Sequence, residues 1–365
     1  MGAKYYWECK AYSGGVAYTI DNVQSVSFNY GRTQPTDDFQ TATVQINGIL
    51  PDSLPAVAKE VGTEFTVELI SRAGTLPYST FFVFTVKSLS RTYGTVSNLD
   101  TWSLNGVGMI GKISEQQLTS TYSTTAGWDT TRQAHNLLNT YGIAATFSTG
   151  SSVVSANTYA VSTFINDVVQ ELVRTEQGRI IDIFGVVSLL SRQDSVSFTV
   201  YCNFNDGTVA TAEVVSKYSS IEFINDGDYV ANTVIVEPEG LAAVSSGTTR
   251  PVLNFKTLDQ TSTQATNLSA YIKNTINLNT VRPLSITFVA DAQLNDDWVE
   301  SLVPGRQVTV ALRGTSYNCV VEGASVSASP SATQVTLQLS SAEAYRFLRL
   351  NDAVFGTLDN NRLGF

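Results

Sequence analysis

A lone histidine sets the first limit on what this chain can catalyse. His135 is the only one in 365 residues, and it sits beside Ala134 in a helical pattern. With no second histidine it cannot build a standard metal site, so it reads as a helix-surface residue. The Gly-x-Ser-x-Gly elbow, the phosphate-binding loop and the HExxH zinc helix are all missing from the sequence. Acidic residues pair at Asp37-Asp38 and Asp296-Asp297, and Glu171 and Glu176 flank a helix end. Glycoside hydrolysis needs two carboxylates facing each other across a cleft. Neighbours in sequence more readily make a polar turn at Asp37-Asp38, and a polar loop or helix cap at Asp296-Asp297. Asn203, Asn205 and Asp206 hint at a calcium loop, but the twelve-residue spacing and its closing glutamate are absent, which leaves a hairpin turn.

Cys9, Cys202 and Cys319 are odd in number and far apart, outside any CxxC arrangement. Neither a zinc site nor a disulfide framework is expected. Cys202 and Cys319 stand in alternating apolar runs, where a thiol is usually a small buried hydrophobe. The residues therefore point to no catalytic centre, no metal and no cofactor. Tyr5, Tyr6, Trp7 and Tyr12 form an aromatic cluster that suits either a sugar- or partner-binding strip or alternating burial in a strand.

The elements that must position these residues are mostly strands. Ala42, Val44 and Ile46 alternate with Thr43 and Gln45, and Asn47-Gly48 offers a turn. Phe65, Val67 and Leu69 alternate again, and the run at residues 81–84 is apolar throughout. Short strands at close spacing, with no helical period before Ser114, suit a sandwich or barrel. The period then changes. Ala134, Leu137, Leu138 and Tyr141 predict a helix from Thr130, with Gly142 after its end. Ile165, Val168, Val169 and Leu172 predict a second helix that opens after Ser162 or Thr163 and stops near Gly178. Residues 179–192 read as a hairpin broken at Phe184-Gly185.

From Ser195 strands return, with turns at residues 205–207 and 225–227 and a loop over residues 240–251. A third helix is predicted over residues 263–276. The last strands centre on Val308 to Leu312, Tyr317 to Val321 and Val335 to Leu339. The chain is thus mainly β (α+β): a β unit over 1–110, an α+β insertion over 111–195, a second β unit over 196–345 and a turn-rich tail over 346–365.

Only 15% of residues are charged, against roughly 25% in an ordinary soluble domain. Uncharged polar residues cost less to desolvate than charges, which suits faces that meet neighbouring subunits. It equally suits a secreted β-protein. The net charge is −10 and the basic residues are scattered singly, so specific nucleic-acid binding is not expected. An acidic chain also fits a channel that passes DNA without holding it. The first ten residues lack an apolar signal core, and no stretch reaches the ~18–20 apolar residues of a membrane span. The expectation is a soluble protein made in the cytoplasm without a membrane anchor.

Several segments, taken in order, resemble the tail-hub family of minor tail proteins from tailed bacteriophages. Residues 25–33 (SVSFNYGRT), Asp38-Phe39-Gln40 and residues 41–46 (TATVQI) are similar to that family's opening strand, its GR step, its acidic-Phe-Gln turn and the following strand. Residues 169–187 resemble its helix and hairpin, closed here by Arg192. Residues 228–236, 304–310 and 355–363 resemble later strands and a frequent ending. The match runs from about residue 25 to the end, is loose over 240–279, and leaves the first twenty residues unaligned.

The resemblance implies a baseplate-hub-like fold with two tube-like β-barrels, one from each half of the chain. It implies a homotrimeric ring at the virion tail tip, joining the tube or distal tail protein to fibre or spike proteins. A tape-measure protein would be a neighbour, and DNA would pass through the lumen. Arg32, Asp38 and Phe39 would shape the first barrel's turn, and Arg192 and Phe365 would contact neighbours. A hexameric distal tail protein, or a secreted glycan-binding or glycan-cleaving protein, remains the alternative.

Overall fold

The computed structural model describes residues 5–13, 16–49, 60–71, 82–95, 100–207, 216–224, 231–276, 281–293 and 296–345. Its main feature is one thirteen-stranded sheet built from both ends of the chain. Across it run Ser220–Ile224, Arg282–Val289, Thr333–Ser341, Thr315–Ala328, Val23–Gly31, Gln40–Ile49, Thr101–Val107, Phe82–Thr92, Glu64–Ser71, Tyr5–Ser13 and Val16–Thr19. Arg306–Leu312 branches off and carries Ser197–Asn205 in parallel on its far side.

The branch lies on the fourteen-residue strand Thr315–Ala328. Its first part pairs with Arg306–Leu312 and its second part with Val23–Gly31, while Thr333–Ser341 runs along the other edge. The changeover falls at a register shift between Val321 and Gly323. Bulges of this kind re-aim side chains, and Glu322 is the residue re-aimed here.

The alternation read from the sequence places its apolar set on one side. Phe28, Val44, Ile46, Phe82, Phe84, Leu104, Phe288, Trp298, Val326 and Leu337 belong to one buried cluster, so both halves of the chain share a core. Cys9, Cys202 and Cys319 lie in it as free thiols, and burial pushes each of them up to about 12. The fold is mostly β, as expected. The two barrels expected from the halves do not close among the described residues. The strands instead join into one branched sheet that ends at Val16–Thr19, Ser220–Ile224 and Ser197–Asn205.

Three helices form where the period changes: α1 (Thr130–Thr140), α2 (Ile165–Glu176) and α3 (Ser262–Ile276). Asp129 caps α1 by accepting the Arg132 N–H at 2.9 Å. Helices α1 and α2 bury Leu137, Leu138, Val168, Val169 and Leu172 with the hairpin residues Val187 and Leu189, giving a second core that also takes Phe39 and Leu258. A third core joins α3 to Thr233–Pro238 through Val234, Val236, Leu268 and Ile272.

Two local readings need correction, and the end of α2 gains a detail. Asn47-Gly48 is not a turn but lies inside Gln40–Ile49, where a Cβ on Gly48 would come within 2.3 Å of the Trp102 ring. Helix α2 ends at Glu176, near Gly178 as read; its left-handed cap is Gln177 (φ +54), and Gly178 allows the close approach of the Leu190 carbonyl. The expected loop at 240–251 contains a short strand, Val244–Ser246, paired with residues 234–236. The turn expected at 225–227 and the tail 346–365 lie outside the described residues. No described helix is long and apolar enough to cross a membrane.

Candidate functional site: a buried ionic joint and an uncharged sheet face

The first candidate site gathers around the Glu322 bulge. Gly31 (φ +89) and Gly323 let two backbones meet there: a Cβ on Gly31 would lie 2.3 Å from the Glu322 carbonyl oxygen. The next residue, Arg32, then donates its backbone N–H to that carbonyl at 3.1 Å and its Nε to Glu322 Oε2 at 2.7 Å. From the hairpin after α2, Arg179 places Nη1 at 3.0 Å from the same oxygen and donates Nε to the Ser195 carbonyl at 2.9 Å. The hydroxyls of Ser340 (2.5 Å) and Tyr345 (2.6 Å) donate to Glu322 Oε1.

Both members of the Arg179–Glu322 pair have wholly buried side chains. Burial alone would push the Glu322 carboxyl up. The Arg179 and Arg32 guanidiniums outweigh it and hold that carboxyl well below the usual carboxylate range. One carboxylate thus ties together the end of the strand Val23–Gly31, the hairpin after α2 and the strands Thr315–Ala328 and Thr333–Ser341.

Arg32, Asp38 and Phe39 come together beside this joint. The Arg32 guanidinium lies 4.4 Å from the centre of the Phe39 ring. Asp38 takes two hydrogen bonds from Arg174 of α2 (3.1 and 2.6 Å), and the Phe39 carbonyl accepts Gln170 Nε2 at 2.9 Å. Asp37 turns the other way and accepts the Gln34 N–H at 3.0 Å. Residues 32–39 therefore clasp α2.

Arg192 stands apart from that group. It donates its backbone N–H to Glu176 at 3.1 Å and lays its guanidinium 4.8 Å from the Tyr271 ring centre. Phe365 lies outside the described residues. His135 shares a 2.9 Å contact with Asn139 and packs on Phe147. Asp296 and Asp297 begin a short 3-10 helix, Asp297–Leu302. Among the described residues no three His, Cys, Asp or Glu side chains converge as metal ligands.

The second candidate is the face of the sheet opposite the shared core. One row of register partners reads Gln334, Ser327, Ser27, Gln45, Asn105 and Ser88, crossing six strands. The row beside it reads Ser220, Thr287, Thr336, Ser325, Asn29 and Thr43. Side chains bond across the strands: Asn105 Nδ2 to Ser88 (3.2 Å), Thr287 with Thr336 (2.9 Å), and Thr43 with Asn29. A groove of about 590 Å³ follows these rows, and among the described residues Lys87 is the sole charged side chain lining it. Lys87 itself faces Glu115 at 3.7 Å. The two rows are uncharged and hydrogen-bonded across the strands.

Sequence reasoning did not single out Glu322 or Arg179. A glutamate in the apolar run at residues 319–326 was the available signal, because a charge at a buried strand position needs a partner. The polar alternation at Ser25, Ser27 and Asn29 was visible, but the strand order that extends it over six strands was not.

No protein-family model and no curated protein matches the sequence. Solved structures do match. A tail protein from Neisseria meningitidis MC58 superposes with a TM-score of 0.65 at 11% identity, covering 93% of this chain and 98% of that one. The 43 kDa tail protein of prophage MuSo2 from Shewanella oneidensis gives 0.62 at 10% identity over 93% and 99%. A type VI secretion component from E. coli, described as structurally similar to the phage T4 tail proteins gp27 and gp5, gives 0.53 at 11% identity over 91% and 76%. At these identities the likeness is one of fold, and the fold of this chain is that of the phage tail proteins it matches.

Proposed function

We propose that this chain is a structural, non-enzymatic component of a phage tail tip. In this reading it is a hub ring joining the tail tube to distal fibre or spike proteins and leaving a channel for DNA. The observation that carries the reading is a fold shared end to end with tail proteins, over 93% of this chain and 98% of the Neisseria protein. The units 1–110 and 196–345 serve as the two tube-like parts of each subunit, the insertion 111–195 decorates them, and the tail 346–365 follows. Three copies close a ring by heterologous contacts. The strands Val16–Thr19, with all four residues exposed, and Ser220–Ile224 are the sheet edges that neighbours cover.

The uncharged face then becomes the channel wall. A polyanion binds where fixed cations let it release counterions. Serine, threonine, asparagine and glutamine rows supply no such cations, so DNA slides past without being held. Residues 32–39 and Glu322 act one layer behind, fixing the insertion against the sheet. The tube or distal tail protein and the tape-measure protein meet the ring on its tube side, and fibres or a spike on the other. The chain is made in the host cytoplasm and resides in the virion tail.

Copy number in purified particles tests the assembly. Quantitative mass spectrometry is expected to give three copies per tail. Six copies would support a hexameric distal ring instead, and absence from particles would overturn both.

A further inference from the structure

We propose that the insertion is fastened by a pair of acid-dependent seams, one at Asp182 and one at Asp259, that loosen as pH rises. The two aspartates lie on opposite borders of the insertion and share an unusual geometry. Asp182 follows the hairpin strand Arg179–Ile181 and meets the chain where it leaves the first β unit. Its Oδ2 accepts the Ile110 N–H at 3.0 Å. A Cβ on Gly108 would come within 2.7 Å of that oxygen, so a glycine is what lets the carboxylate dock. Asp259 stands where the α3 unit docks on the insertion. There the Ser155 N–H donates to the Leu258 carbonyl and the Gln260 N–H to the Val153 carbonyl, both at 3.0 Å. Its Oδ2 accepts the Thr257 hydroxyl at 2.8 Å.

In each aspartate the other oxygen, Oδ1, is buried without a hydrogen-bond partner among the described residues. Asp182 borders a cavity of only about 10 Å³, shared with Tyr30, Phe39, Gln170 and Pro304. That is room for roughly one water and not for the shell that an ionised oxygen requires.

The groups facing Asp182 are Lys112 and the backbone N–H groups of Met109 and Ile110, and the Tyr30 hydroxyl at the cavity is committed to the Leu302 carbonyl. Those facing Asp259 are Arg192, whose Nη1 is also buried and unpartnered among the described residues, and Glu176. Burial dominates at both sites over the N–H groups and cations that oppose it. It pushes Asp182 up to about 7 and Asp259 up to about 6.

Both carboxyls are therefore protonated in the fold at pH values where the unfolded chain has already lost those protons. Their stabilising effect is complete below the ordinary aspartate value near 4 and is lost as pH rises through about 6 and about 7. Above that window each seam holds an ionised Oδ1 that is buried without a hydrogen-bond partner among the described residues, and local opening hydrates it.

Amide hydrogen exchange on the purified chain tests this, read as protection factors so that the intrinsic pH dependence cancels. Between about pH 5 and about pH 8, protection at Ile110 and Gln260 is expected to fall roughly tenfold or more. Core sheet amides such as Val326 should hold theirs. Asp182→Asn and Asp259→Asn should each make their own seam insensitive to pH. Infrared titration of wild-type chain should show two carboxylic acids ionising near neutrality, a readout that stands even if a variant fails to fold. Seam protection that does not change with pH, or no carboxylic acid ionising above about pH 5, would overturn the proposal. Because the experiment uses free chain, its outcome is independent of the ring reading.

Discussion

The two candidate sites invert the usual distribution of charge. The joint at Glu322 concentrates a carboxylate and two guanidiniums where water cannot reach, while the broad sheet face exposed to solvent holds rows of neutral side chains. An ordinary β-protein does the reverse, solvating its charges and burying apolar groups. The contrast separates two jobs. Fixed charge in a dry interior sets one geometry for three chain segments that are far apart in sequence. The neutral rows of the open face offer a polyanion no fixed cations to bind.

Breaking the joint should give the largest effect. Glu322→Gln leaves the Arg32 and Arg179 guanidiniums buried without their counter-charge, and unfolding stability measured in urea should drop by about 3–5 kcal/mol. Acid titration sharpens the same point. Because the Glu322 carboxyl is held below its usual range, its contribution is present above pH ~4 and is lost only as pH falls further. The Glu322→Gln variant should lack that acid-side loss, a dependence opposite in sign to that of Asp182.

Crowding the layer between joint and face should cost less. Gly48→Ala drives a methyl into the Trp102 ring, and denaturant curves should show a loss of about 1–3 kcal/mol. Releasing the exposed part of the clasp, by Arg174→Ala opposite Asp38, should cost under about 1 kcal/mol, less still in high salt.

Smallest in stability and largest in behaviour are charges placed on the open face. Gln45→Lys with Ser327→Lys should change unfolding free energy by no more than about 0.5 kcal/mol. The variant should nonetheless retain duplex DNA on a column at low salt, while the parent chain should let it pass. Equal retention by both chains would remove the functional meaning of the neutral face.

Much of the fold was legible because burial follows period. Leu137 and Leu138, Val168 and Val169, and the alternation at Val335 to Leu339 each placed an element of the right kind within a few residues. Long-range pairing was not legible. Nothing local in Asn47-Gly48 distinguishes a hairpin turn from a strand interior that needs a glycine beneath Trp102. Nothing local shows that Thr315–Ala328 changes partners halfway, and that change joins strands from both halves of the chain in one sheet. The Gly31-Arg32 step and the Asp38-Phe39 turn were visible as motif residues. Their partners Glu322, Arg174 and Gln170 are more than a hundred residues away, beyond the reach of any pattern in a single sequence.

A reconstruction of the assembled tail tip, at a resolution that shows side chains, tests the central claim most directly. The account predicts a threefold ring in which Ser27, Gln45 and Ser327 face the channel while Glu322 stays buried one layer behind. A ring with those residues on its outer surface, or packed against a protein partner away from the channel, would contradict it.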